Sequence, residues 1–250
     1  MKRVFFYILF SLFFVVLRAQ DVGEPTMQRV MSKEWNFSLF LNTSGGGIGF
    51  QHGRTPNYSN KYYWETDIVY SVHYKSVRGK NANFINPRSF CYGKLHDLFL
   101  WRLGYGYQRT TNHKPYWGGV QVRYFFSAGF SLGIGLPTYL EIAYYDTIGI
   151  FLTTRIERYN PEKHNLSNIV GGAPWHERFH KLAFRPGFYA KTGVNFDFSK
   201  NEYRIRALEV GLSLDMVFPY LQQIAHNKSK PFYFNAYLAF NFGRKKAQYE

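Results

Sequence analysis

The feature that most constrains this chain is a strict two-residue alternation of apolar and polar side chains, sustained over long segments. Successive side chains of a β-strand point to opposite faces, so each such run commits one whole face to an apolar environment. From 64 to 74, Trp64, Thr66, Ile68, Tyr70, Val72 and Tyr74 oppose Glu65, Asp67, Val69, Ser71 and His73. From 99 to 108, Phe99, Trp101, Leu103, Tyr105 and Tyr107 oppose Leu100, Arg102, Gly104, Gly106 and Gln108. From 120 to 134, Val120, Val122, Tyr124, Phe126, Ala128, Phe130, Leu132 and Ile134 oppose Gln121, Arg123, Phe125, Ser127, Gly129, Ser131 and Gly133. The same pattern runs through 140–152, 188–198, 208–216 and 232–242.

A soluble sheet also alternates, but its polar face is dense in Lys, Glu and Thr. Here the polar face mixes Gly and Ser with single charges of both signs: Glu65, Asp67, Arg102, Arg123, Lys191, Asp197 and Glu209. That composition suits a narrow bore filled by side chains, with an almost uncharged face turned to lipid. No segment after the N-terminus is apolar enough for a membrane helix, and mean hydropathy is −0.32. A membrane protein without such helices must close its strands, because only closure pairs every backbone group. Aromatic residues make up 20% of the chain, as strands and membrane boundaries both favour. The fold predicted is an all-β, eight-stranded, up-and-down antiparallel transmembrane β-barrel.

The eight strands fall near 34–53, 61–75, 97–110, 116–135, 138–155, 187–198, 203–217 and 231–243. The first is irregular: Trp35, Phe37, Leu39 and Leu41 are in phase, whereas Ile48 and Phe50, beyond Gly45-Gly46-Gly47, are out of phase. A glycine-permitted bulge or a hairpin would each shift the phase. A hairpin would make nine strands, so one bulged strand is expected. With both termini in the periplasm, loops 54–60, 111–115, 156–186 and 218–230 should face outward, and 76–96, 136–137 and 199–202 inward. Segment 76–96 is long for a periplasmic turn and carries Arg78, Lys80, Arg88 and Lys94. It reads either as a disordered or locally packed insertion or as a docking surface for a partner.

Residues 1–19 read as a secretory signal peptide, with Lys2 and Arg3 preceding an apolar run from Val4 to Leu17. The expected organisation is then an N-terminal periplasmic segment 20–33, a barrel 34–244 with long loops 76–96 and 156–186, and a basic periplasmic tail 245–250. The place expected for the whole is the outer membrane. Formal net charge is +15, but the longest Lys/Arg run is Arg244-Lys245-Lys246, and cations interleave with acids along the strands. Anionic lipid or a protein partner fits this pattern better than nucleic acid. The single cysteine, Cys91, excludes an internal disulfide.

A bore of eight strands is just filled by side chains, so its charges read as a paired structural network. One motif with catalytic potential occurs, His176-Glu177-Arg178-Phe179-His180. On a helix its histidines would share a face and could hold zinc. Here it lies between Gly171-Gly172-Ala173-Pro174 and Pro186, with Arg178 inside it and no third ligand following, and it reads as a chance match. His113, His164 and Ser167 fall in loops without triad spacing. The sequons beginning at Asn36, Asn42, Asn57, Asn165 and Asn227 carry no weight in a bacterial envelope protein. No catalytic, cofactor-binding or metal-binding residue is therefore assigned, no cofactor is expected, and no small-molecule substrate is identified.

Several stretches resemble a family of Bacteroidota outer-membrane β-barrel proteins: Phe37 to Arg54, Cys91 to Leu95, Leu103 to Gln108, Gly118 to Leu132, Tyr159 to His164 and Arg206 to Asp215. The resemblance covers nearly all of the chain after the signal and implies the same location and fold. It implies no catalytic residues. By analogy it suggests a non-catalytic accessory or scaffold subunit of an envelope machine, such as a barrel-assembly or type 9 secretion apparatus, with a narrow channel, a surface adhesin or an enzyme on lipid or protein as alternatives.

Overall fold

The computed structural model describes residues 32–57, 59–84, 87–112, 119–146, 151–200, 203–225, 227 and 231–247. The expected signal peptide, most of the segment 20–33 and the last residues of the tail lie outside them. The chain first forms β1 (Ser32–Asn42), β2 (Gly45–Thr55) and β3 (Asn60–Ser71), then short β4 (Arg78–Gly79) and β5 (Phe90–Cys91). The long pair β6 (His96–Asn112) and β7 (Gln121–Pro137) precedes β8 (Tyr139–Tyr145), β9 (Phe151–Arg158) and β10 (Ile169–Gly172). A 3-10 turn over Trp175–Lys181 leads into β11 (Ala183–Asp197), β12 (Arg204–Val217) and β13 (Phe232–Ala247).

Eight strands close an antiparallel barrel in the order β1-β13-β12-β11-β7-β6-β3-β2. Two of them differ from expectation. The stretch 34–53 is a hairpin, not one bulged strand: β1 and β2 pair through Leu39↔Ile48 and Phe37↔Phe50. A two-residue turn at Thr43-Ser44 pairs odd with even positions, which produces by chain reversal the phase shift a bulge would have produced. Gly45 takes φ +149°, and a Cβ there would collide with the Tyr70 carbonyl, so only glycine fits the exit of the turn.

The stretch 138–155 leaves the barrel. β11 occupies the free edge of β7, from Ala183↔Gly135 to Asp197↔Gln121, and β8 and β9 instead build a small sheet with β10. Leu140 and Ile142 do alternate, but into a core with Phe90, Tyr159 and Ile169 rather than toward lipid. The sequence carried a signal: Thr153-Thr154-Arg155 and Glu157-Arg158 put polar groups on both faces of β9, which a lipid-facing strand does not tolerate. The two differences cancel in the count, and the barrel has eight strands.

They do not cancel in the loops. The start of β1, the end of β13, the β2–β3 turn, the end of β6 with the start of β7, and the β11–β12 turn share one end. The turn at Thr43-Ser44 and the connections 72–95, 138–182 and 218–231 share the other. Segment 76–96 therefore lies at the end away from the termini, with the other long loops, and loops 54–60 and 111–115 lie at the terminus end. β13 also continues to Ala247, into the tail expected from 245.

Inward and outward faces follow the alternation. Trp64 on β3 and Phe130 on β7 are 61% and 69% exposed, whereas Glu65 and Asp67, in the opposite phase of β3, are 2% and 1% exposed. An outer surface of Phe37, Leu39, Ile48, Ile68, Leu103, Phe126, Phe188, Val210, Leu212 and Phe240 is far larger than a water-soluble monomer leaves bare. It is a lipid belt. At the terminus end it is bordered by Trp35, Tyr62, Trp64 and Tyr105, with Trp64 and Tyr105 rings 5.2 Å apart, in the manner of an interfacial girdle. Beyond them lie the exposed cations Lys33, Arg54, Arg109, Arg204, Arg206, Arg244 and Lys246, at the depth of lipid head groups.

Candidate functional site: a closed bore beneath a folded cap

The inward phase places the seven charges named from the sequence inside the bore, where six meet an opposite charge and Glu209 is held by hydrogen bonds. Arg102 on β6 grips Asp215 on β12 through two bonds, Nε to Oδ1 at 2.7 Å and Nη2 to Oδ2 at 2.6 Å. Lys191 on β11 reaches Asp67 at 2.6 Å and Glu65 at 3.0 Å, and the Tyr189 hydroxyl donates to Glu65 at 2.8 Å. Glu209 accepts from Tyr237 at 2.8 Å and from the Asn241 amide at 2.9 Å. Toward the termini, Glu34 meets Lys61 at 2.9 Å and Lys245 at 3.6 Å, and Asp197 meets Arg123 at 3.5 Å. Charges so far from water persist only when compensated in this way, and the network is structural.

Toward the long-loop end the filling becomes apolar. Val69, Leu98, Leu100, Val217 and Leu221 form one buried cluster across the bore. Val69 and Leu100 are cross-strand partners, and Leu221 enters from the 218–231 connection. Gly135 makes the room, since a Cβ there would stand 2.6 Å from a Leu221 methyl. Side chains of this cluster fill the bore at this level.

The long connections fold together above this plug. Asn81 donates its amide to the carbonyls of Leu166 and Ile169, at 2.8 and 2.7 Å, tying 72–95 to 138–182. Arg88 reaches Glu141 at 3.3 Å, and Phe90 sits in the core of the small sheet. The Leu95 and His96 amides donate to Gln223 O, and Ala225 N donates to Gly93 O, joining the 218–231 connection. The free thiol of Cys91 is buried in this cap. The described part of 76–96 is locally packed.

Asp97 is the cap's hinge point to the barrel wall. It lies in the outward phase of β6 yet is buried, with Lys94 at 2.5 Å, the Tyr70 hydroxyl at 2.6 Å and Arg178 at 3.1 Å. Burial alone would raise its carboxyl, but the bonds from Lys94 and Tyr70 and the cations of Lys94 and Arg178 hold it below the ordinary range. A carboxylate on the outer wall, clamped by two cations, marks a level beyond the hydrocarbon.

The sequence candidates for chemistry stay apart. His176 to His180 lies on the 3-10 turn, whose three-residue period brings i and i+3 into line rather than the i and i+4 of a zinc pair. Its Arg178 is taken by Asp97, and Trp175 and Phe179 stand exposed, rings 5.6 Å apart. His164 is buried, accepting from Asn160 N at Nδ1 and facing Glu157 at 3.5 Å, and no bond joins it to Ser167. His113 lies outside the described residues. Among those described, no three His, Cys, Asp or Glu side chains group as a metal site.

No family model and no curated protein matches the chain. Solved structures similar to it include Neisserial surface protein A, at 9% identity and a TM-score of 0.35 over 87% of this chain and 97% of that one. They also include Ail, the attachment invasion locus protein of Yersinia pestis, in complex with the heparin analogue sucrose octasulfate. That match has 7% identity and a TM-score of 0.37 over 88% of this chain and all of the other. The barrel assignment rests on this chain's own register and burial.

Proposed function

We propose that the chain is a non-catalytic, non-conducting outer-membrane barrel that works as an accessory or scaffold subunit of an envelope complex, engaging its protein partner through the cap. One observation carries the proposal: three long connections at one end fold into a single packed body over a bore closed by hydrocarbon. A barrel built to conduct would keep its bore open, and one without a binding role has no need to order so much surface. Short turns and termini at the other end favour a periplasmic position for that end and an external one for the cap.

Gentle detergent extraction followed by affinity capture tests the reading. A co-purifying envelope protein is expected, and it should be lost on Trp175→Ser/Phe179→Ser substitution while the barrel remains folded. A strictly monomeric, partner-free barrel would overturn the proposal. A partner found only on another cell's surface would make the barrel an adhesin. In planar bilayers the wild-type chain is expected to give no stepwise conductance, and steady ohmic steps would contradict the closed bore.

A further inference from the structure

Every cation deep in the bore has an acid within reach, but the mouth of the barrel breaks that rule. Between the start of β6, the end of β9, the start of β11 and the connection 218–231 lies a cavity of about 480 Å³. Arg158, Lys181 and Arg185 line it together with His96, and no carboxylate does. None of the three cations has an acidic partner among the described residues. Asp97, next to His96, is already held by Lys94, Arg178 and Tyr70, and Glu157, next to Arg158, is turned to Tyr144 and His164.

We propose that this mouth is a binding site for a small, multiply charged anion carrying phosphate or sulfate groups. Four features support it. The Arg185 Nε is buried and makes no hydrogen bond, a donor whose desolvation nothing in the chain offsets. His96 is fixed with its proton on Nδ1, which donates to Gln222 O at 2.9 Å, so Nε2 accepts from Arg158 Nη2 at 3.1 Å and holds that guanidinium at the cavity wall. Burial first, and the charges of Arg158 and Arg185 after it, push the His96 pKa down and keep the ring neutral in this role. The floor is Leu221 of the apolar plug, so the cavity is walled off from the bore, and the half-buried Arg185 is less screened than the exposed Arg158 and Lys181.

Two guanidiniums and an ammonium set around one cavity match a tetrahedral oxyanion better than a single carboxylate, because arginine forks bind two oxygens at once. The volume lies in the range of small-molecule sites and admits a phosphorylated sugar or a phosphate-bearing head group. The inference does not depend on a protein partner at the cap, and its test reads binding alone.

The full barrel, folded in detergent at physiological ionic strength, is titrated calorimetrically with inorganic pyrophosphate and, separately, with a monophosphorylated lipid A in mixed micelles. Saturable one-to-one binding of at least one probe is expected. An Arg158→Gln/Arg185→Gln variant should weaken it by roughly tenfold or more, since each lost charge-assisted bond matters on that scale. The Arg158→Lys/Arg185→Lys variant should retain part of the affinity. Lys80→Gln/Lys163→Gln, two exposed cations of the cap that do not line the cavity, should leave it unchanged. Binding of pyrophosphate assigns the site to a free anion, and binding of the lipid alone assigns it to a head group. No saturable binding of either probe, or equal weakening by both Gln pairs, overturns the proposal. Retention of the folded form in cold detergent shows that the variants differ in the site and not in the fold.

Discussion

Lys191→Met is expected to destabilise the barrel by about 3–5 kcal/mol, the usual consequence of removing one partner from a buried ion pair. Lys191 sits at the centre of the bore with no side-chain exposure, and it is the only cation within salt-bridge distance of both Glu65 and Asp67 among the described residues. The rings of Phe40, Tyr237 and Tyr189 surround its ammonium at 5.1, 5.9 and 6.0 Å, so its charge is held by faces as well as by carboxylates. Methionine keeps the length of the side chain and removes the charge, which leaves two carboxylates side by side on β3. Adding Glu65→Gln and Asp67→Asn should restore most of the lost stability, because a neutral filling of similar volume does not carry the desolvation of an ion. The temperature at which the folded form loses its anomalous gel mobility measures both effects. A Lys191→Met barrel as stable as the wild type would contradict a buried network.

Leu212→Arg is expected to cost about 2–4 kcal/mol when folding is followed in lipid vesicles with urea, as for a charge near the middle of the bilayer. Leu212 is half-exposed in the outward phase of β12, between Arg204 and Arg206 at one end and Met216 at the other. Arg206→Leu, at the head-group boundary, should change stability far less, by about 0–1 kcal/mol. The contrast between the two positions reports depth, which a water-exposed sheet does not have. Equal, small effects at both would place this face in water.

The faces of the long strands were legible because a lipid-facing wall admits almost no exceptions. Trp101, Leu103 and Tyr105 against Arg102, and Val210 and Leu212 against Glu209 and Ser213, leave one phase only. Membership of the bore network followed from that phase, but not its pairs: Arg102 meets Asp215 across 113 positions and Lys191 meets Asp67 across 124. The alternation alone does not decide between the first hairpin and a bulge, because a two-residue turn and a bulge shift the phase identically, and strand count favours the wrong one. The stretch 138–155 was misplaced because alternation reports one buried face without saying what buries it. The cation-lined mouth was not visible at all, since His96, Arg158, Lys181 and Arg185 converge only when three connections share an end.

The central claim is that alternate residues of the barrel strands face hydrocarbon while their neighbours fill a closed bore. Nitroxide labels placed singly from Leu208 to Met216 in vesicles, on a chain with Cys91 replaced by serine, test it most directly. Oxygen should reach the labels at Leu208, Val210, Leu212 and Leu214 far better than a water-soluble nickel complex does, and neither should reach Glu209, Ser213 or Asp215. Nickel access at the even positions equal to that at an exposed loop would contradict the claim.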